Sequence, residues 1–153
     1  MTKTMHDFTE RTPEGQVKLI DANLLIYSVG VIHPYKAPSI EVLARERRGE
    51  VEANISTEIL QEVLNYYHRR RSTEFGLRLF DDLMLQFPSP YPILVGTIRT
   101  ARQILEGHPV LDARDAIHAA IVFEHRLEGI ISADRTFDGI AGLTRFDPKD
   151  LAV

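Results

Sequence analysis

Apolar and polar positions along the chain fall into blocks that switch between a strand period and a helix period. Residues 17–20 (Val-Lys-Leu-Ile) form a short β-rich run that reads as a buried strand of a parallel sheet. The run ends on Asp21, and Asn23 and a second apolar run to Tyr27 follow. Residues 34–49 predict a helix, with Pro38 in its first turn, Ile40, Leu43 and Ala44 on one face and Gly49 at its end. Residues 51–55 predict a second strand. Ser56 or Thr57 then caps a helix over 57–71, in which Ile59, Val63, Tyr66 and Leu60, Leu64, Tyr67 recur at helical spacing. That helix ends in Arg69, Arg70 and Arg71, where cations suit the helix dipole.

Phe75, Leu79 and Leu83 place another helix over 73–87, and Pro88, Pro90 and Pro92 make a rigid loop after it. A short strand is expected over 93–95 and a helix over 97–106, closed by Gly107. A long apolar helix follows over 112–127. Residues 129–133 (Gly-Ile-Ile-Ser-Ala) predict a strand with Asp134 directly behind it, and 144–146 a last strand before Asp147-Pro148. Strands alternating with helices imply an α/β fold, a parallel sheet with helices on both faces. Residues 1–15 are polar and read as an N-terminal extension, leaving 16–153 as a single domain.

Composition changes this picture in three ways. The chain has no cysteine, which excludes disulfides, thiolate zinc sites and a cysteine nucleophile, and fits a reducing cytoplasm. No apolar run approaches the roughly 18 residues of a membrane span, and the polar start lacks the apolar stretch of a signal peptide. A cytoplasmic protein with no membrane partner is therefore expected. The net charge of -4 argues against a bulk electrostatic nucleic-acid binder. It leaves room for an enzyme that carries its negative charge in the active site and meets nucleic acid through a cation and local arginines.

Four acids stand out by position: Asp21 at the end of the first strand, Glu62 on the helix after the second, Asp115 in the first turn of the 112–127 helix, and Asp134 after the Gly-Ile-Ile-Ser-Ala strand. Strand carboxyl ends and the amino ends of following helices share one edge of a parallel sheet, so these acids are expected on one rim. Two like charges about 4 Å apart repel by roughly 4 kcal/mol at an effective dielectric near 20. Such a cluster holds protons or binds cations, and all-oxygen ligands suit Mg²⁺ or Mn²⁺, one or two ions. Each acid also has an ordinary reading. Asp112 and Asp115 are spaced as a helix cap and its third residue, and Asp134 is placed to cap a turn. His118, one turn after Asp115, reads as a core-flanking histidine and stays outside the site. A haloacid-dehalogenase-type phosphatase wants a second Asp where Asn23 stands, and there is neither a P-loop nor a GxGxxG pattern.

The stretches IDANLLIY, STEILQEVLN, LDARDAIHAA and IISADRTFDGI resemble, in order, the four motifs of PIN-domain ribonucleases, and above all VapC-type toxins of toxin–antitoxin pairs. The resemblance spans residues 17–147. It implies a three-layer α/β/α sandwich with a parallel sheet of four or five strands, and Mg²⁺- or Mn²⁺-dependent endoribonuclease activity that leaves a 5′-phosphate and a 3′-hydroxyl. On this likeness Asp21, Glu62, Asp115 and Asp134 are the catalytic and metal-binding acids. Asn23 and Ser132 orient ligands or water, Arg114 and residues 69–71 contact phosphate, and Asp112 and Asp138 are auxiliary acids. Thr136 stands where many relatives carry another acid. The expected partners are an RNA substrate, a cognate antitoxin and a second copy of the chain. Two other readings use the same residues: a catalytically silent PIN-like module that binds proteins, and a metal-dependent phosphatase of small substrates.

Overall fold

The computed structural model describes residues 16–153, so the reading of residues 1–15 as an extension falls outside the described part. Four short strands, β1 (Lys18–Ile20), β2 (Ala53–Asn54), β3 (Gly129–Ile131) and β4 (Arg145–Phe146), form one parallel sheet in the order β2-β1-β3-β4. Seven helices surround it: α1 (Ala22–Val29), α2 (Lys36–Arg47), α3 (Thr57–Arg69), α4 (Thr73–Gln86), α5 (Val95–Gly107), α6 (Ala113–Glu124) and α7 (Pro148–Leu151). They pack chiefly in pairs, α1 with α2, α3 with α4 and α5 with α6, giving a three-layer α/β/α arrangement. Parallel strands need crossover connections, and helices supply them here.

β1 and β3 carry the core. Leu19, Ile20, Ile130 and Ile131 are all fully buried, as expected of strands covered on both faces. Around them close Leu24, Leu25, Val42, Ile55, Ile59, Val63, Ile121 and Phe137. Gly49 follows α2 at φ 74°, the left-handed geometry that suits a glycine after a helix. No described helix is long and apolar enough to cross a membrane.

Two local features add to or differ from the sequence reading. The apolar run after Asp21, to which the sequence reading gives no element, is helical and forms α1, with Asp21 as its N-cap. Residues 93–95 do not form a strand, because Leu94 is the N-cap position of α5 and Val95 its first residue. Only Tyr91, flanked by Pro90 and Pro92, reaches the sheet, through an isolated bridge to Ser56. Prolines lack the N–H that a ladder needs, so the pairing stops at one residue.

Candidate active site

β1 and β3 are neighbours in register, Ile20 opposite Ile131, so the residues after them leave the sheet side by side. The Asp21 amide still donates to the Ile131 carbonyl, at 3.0 Å. The Asp21 carboxylate then does two things. Its Oδ1 accepts from the Ala22 amide at 2.7 Å, starting α1, and its Oδ2 accepts from the Ser132 hydroxyl at 2.6 Å. The Ser132 Oγ in turn accepts from Asn23 Nδ2 at 3.2 Å and from the Asp134 amide at 3.0 Å. A serine hydroxyl has one donor and two acceptor positions, and all are used. One buried oxygen thereby fixes Asp21, Asn23 and the start of the Asp134 turn against one another.

Glu62 comes from α3, whose N-cap Ser56 accepts from the Ile59 amide at 3.3 Å. The Glu62 side chain, 12% exposed, meets His118 of α6, with Oε1 3.1 Å from Nε2. The same Nε2 is 3.8 Å from Asp21 Oδ1, and the His118 side chain is 1% exposed. Asp112 caps α6 by accepting from the Asp115 amide at 2.8 Å. Arg114 lies between two acids, 3.8 Å from Glu62 Oε1 and 3.7 Å from Asp112 Oδ2. Asp134 caps a 3-10 turn, Arg135–Gly139, accepting from the Thr136 amide at 2.9 Å and from its hydroxyl at 2.6 Å. The capping geometry and the rim position thus coexist in the same acids.

Asp21, Glu62, Asp115 and Asp134 all line one open cleft of about 740 Å³, together with Asp112, Asn23 and His118. Arg69, Arg70 and Arg114 line it as well. Crowding of acids shows in their protonation. Burial first, then the charges of Asp112 and Asp134, push Asp115 up to about 6, against the opposing charge of His118. Burial also raises Asp21, offset in part by His118 and by the Ser132 hydrogen bond. Burial alone would lower His118, but its bond to Glu62 and the charges of Asp21, Glu62 and Asp115 together raise it.

This is a donor set suited to a hard or borderline divalent cation, which would offset the burial and the acid–acid repulsion that raise Asp115. Asn23 lines the cleft, and its buried Oδ1 has no donor among the described residues; a cation or a water bound to one is a natural partner for that lone pair. The tightest grouping is Asp21, Glu62 and His118, with one ligand atom of each within 4.8 Å of the others. The sequence reading kept His118 outside the site. The only signal was its spacing, one turn from Asp115, and its apolar neighbours Ile117, Ala119 and Ala120 masked it.

The remaining expected site residues divide. Ser132 is fully buried and holds Asp21, so it orients an acid and does not itself face the cleft. Asp138 is outside the cleft lining and is held by Arg145 through bonds of 2.8 and 3.2 Å. Arg71 is likewise not among the lining residues, whereas Arg69 and Arg70 are. Thr136 serves the Asp134 cap.

Residues 18–143 match the PIN domain family. Among curated proteins, Ribonuclease VapC13 of Mycobacterium tuberculosis is 31% identical over 127 residues, covering 83% of this chain and 97% of the relative. Two solved structures share the fold. FitAcB from Neisseria gonorrhoeae has a TM-score of 0.67 at 15% identity, covering 87% of this chain and 98% of that one. VapBC2 from Rickettsia felis, bound to a DNA fragment from its promoter, has a TM-score of 0.65 at 14% identity, covering 86% and 99%. With its motifs in order along the matched span, the chain belongs to the PIN-domain family, and within it to the VapC ribonucleases.

Proposed function

We propose that the cleft is the active site of a metal-dependent endoribonuclease, the toxin of a VapBC-type toxin–antitoxin pair. One observation carries the reading: four acids from four separate elements line one open cleft, where burial and then the neighbouring acids push Asp115 up to about 6. Asp21, Glu62, Asp115 and Asp134 would hold one or two Mg²⁺ or Mn²⁺ ions, which when bound would polarise the phosphate and lower the pKa of a water.

The chain's own residues supply the rest. Asp21 is locked by Ser132 and the Ala22 amide, so its position does not depend on the ligand. Glu62 is fixed by His118. Asn23, a lining residue whose buried Oδ1 has no donor among the described residues, would orient a water held at the metal. Arg114, tethered loosely between Glu62 and Asp112, is free to pass its charge to a phosphate of the RNA. Water attacks phosphorus, the P–O3′ bond breaks and the 3′ oxygen takes the proton, leaving a 5′-phosphate and a 3′-hydroxyl.

One solved relative is VapBC2 of Rickettsia felis, and an antitoxin that covers the acidic cleft is the partner expected here. Exposed Leu77 and Leu85 on α4 and Val95 and Ile98 on α5 offer apolar surface for that partner or for a second copy. A cytoplasmic setting suits both the RNA and a cysteine-free chain. The test is cleavage of an RNA oligonucleotide with Mn²⁺, comparing wild type with Asp115→Asn. Cleavage lost in a folded variant supports the assignment. Undiminished cleavage removes Asp115 from the mechanism, and a wild type that cuts small phosphomonoesters but no RNA is a phosphatase.

A further inference from the structure

The wall of the cleft facing solvent beyond Glu62 is the last turn of α3, where Asn65, Tyr66, Arg69 and Arg70 join the acids in lining one space. Arg70 is exposed, yet it is held in place. Its Cζ lies 3.5 Å from the Tyr66 ring centroid, and its guanidinium donates to the Tyr66 carbonyl at 3.2 Å. Tyr66 is itself anchored. It meets Tyr67 edge-on at 5.0 Å, and Tyr67, 8% exposed, packs on Phe75 at 4.9 Å. A ladder of rings therefore runs from the packed α3–α4 contact out to a guanidinium at the cleft.

Neither Arg69 nor Arg70 has a carboxylate partner among the described residues, although Glu62 and Asp112 stand in the same cleft and engage Arg114. Cations at a helix C-terminus answer the helix dipole, which accounts for their charge. It does not account for the stack, nor for two unpaired arginines beside a cluster of acids.

We propose that this turn is the subsite for an unpaired nucleotide next to the scissile phosphate, its base stacking on the Tyr66-backed Arg70 guanidinium and its phosphate meeting Arg69. This rests on the endoribonuclease reading and adds what that reading leaves open, where on this chain an unpaired base is held. A guanidinium is planar, weakly hydrated and able to stack while still hydrogen-bonding. Splayed bases of single strands stack on such planes and on aromatic rings, whereas paired bases hide their faces.

The experiment uses full-length Asp115→Asn protein with Mg²⁺ and measures fluorescence anisotropy of a labelled mixed-sequence RNA oligonucleotide, single-stranded or annealed to its complement. The single strand is expected to bind tighter than the duplex. Tyr66→Phe should bind like the parent, while Tyr66→Ala and Arg70→Lys should each weaken binding roughly 5- to 100-fold. Unchanged Mn²⁺ affinity of Tyr66→Ala and Arg70→Lys made in the wild-type chain shows that the acids are undisturbed. Duplex bound as tightly as single strand, an Arg70→Lys variant equal to the parent, or a parent that binds no RNA overturns the subsite. Stack-dependent binding by a protein whose wild type cleaves no RNA would leave the subsite standing and sink the nuclease reading instead.

Discussion

The Nε2 of His118 sits 3.1 Å from Oε1 of Glu62, joining α6 to α3 at the floor of the cleft. With a carboxylate on one side, that nitrogen carries the proton and acts as donor. Its Nδ1 has no partner among the described residues, where the polar contacts of this buried ring go to the acids. Partners that orient metal-binding carboxylates are typically worth about 10- to 100-fold in metal affinity. His118→Leu is expected to weaken Mn²⁺ binding by that factor in calorimetry, and His118→Gln, which keeps an N–H within reach, to recover most of it. A leucine variant with wild-type affinity would show that the ring is only core packing.

Asp115 gives a pH prediction. Burial and its acidic neighbours raise it from an ordinary 3.8 to about 6, so the folded chain holds this proton more tightly than the unfolded one. The stability it lends is complete below the ordinary value and is lost as pH climbs through the raised one. Without metal, melting temperature should fall on this group's account between those two pH values. With Mn²⁺ the trend reverses, because ligands must be deprotonated and affinity grows with pH. Carboxyl-carbon NMR is the direct check, and a midpoint at the ordinary carboxylate value would remove the basis for a crowded site.

Ser132→Ala removes three hydrogen bonds from a fully buried oxygen and leaves Asp21 Oδ2 without its donor. An unsatisfied buried group costs about 1–3 kcal/mol. Urea denaturation should show a loss of that size, and Mn²⁺ affinity should drop with it as Asp21 loosens. A loss of stability with unchanged affinity would confine Ser132 to holding the fold.

Gly129 opens β3 where the sheet leaves no room for a side chain. A Cβ there would run into the Thr144 carbonyl oxygen and come within 2.8 Å of Phe146 Cε2. Alanine at a compatible glycine position stabilises by about 0.4–1 kcal/mol through the unfolded chain. Overpacking against backbone costs about 1–3 kcal/mol and wins. Gly129→Ala is therefore expected to lower the urea midpoint, and a midpoint at or above wild type would show that β3 and β4 can part.

Much of this site is legible along the chain because its acids stand at breaks in periodicity. Asp21 interrupts a β-rich run, Asp134 follows another, and Asp112 and Asp115 open an apolar helix. Those breaks mark strand ends and caps, and a parallel sheet gathers such places on one edge. Helices α2 to α6 and all four strands follow from the same local periods, to within a few residues at their ends. The 93–95 stretch misled because three apolar residues in a row do not distinguish a strand from a helix start.

What the sequence by itself determined is most of the elements, the parallel sense of the sheet and the rim to which the acids belong, since period, capping and chain direction are local properties. Only the tertiary structure decided which side chains answer one another. His118 and Glu62 are 56 residues apart, Ser132 and Asp21 are 111 apart, and Asp138 turned out to be spent on Arg145. Hydrogen-bond partners across a sheet edge depend on register and helix packing to within an ångström, and no local pattern carries that information.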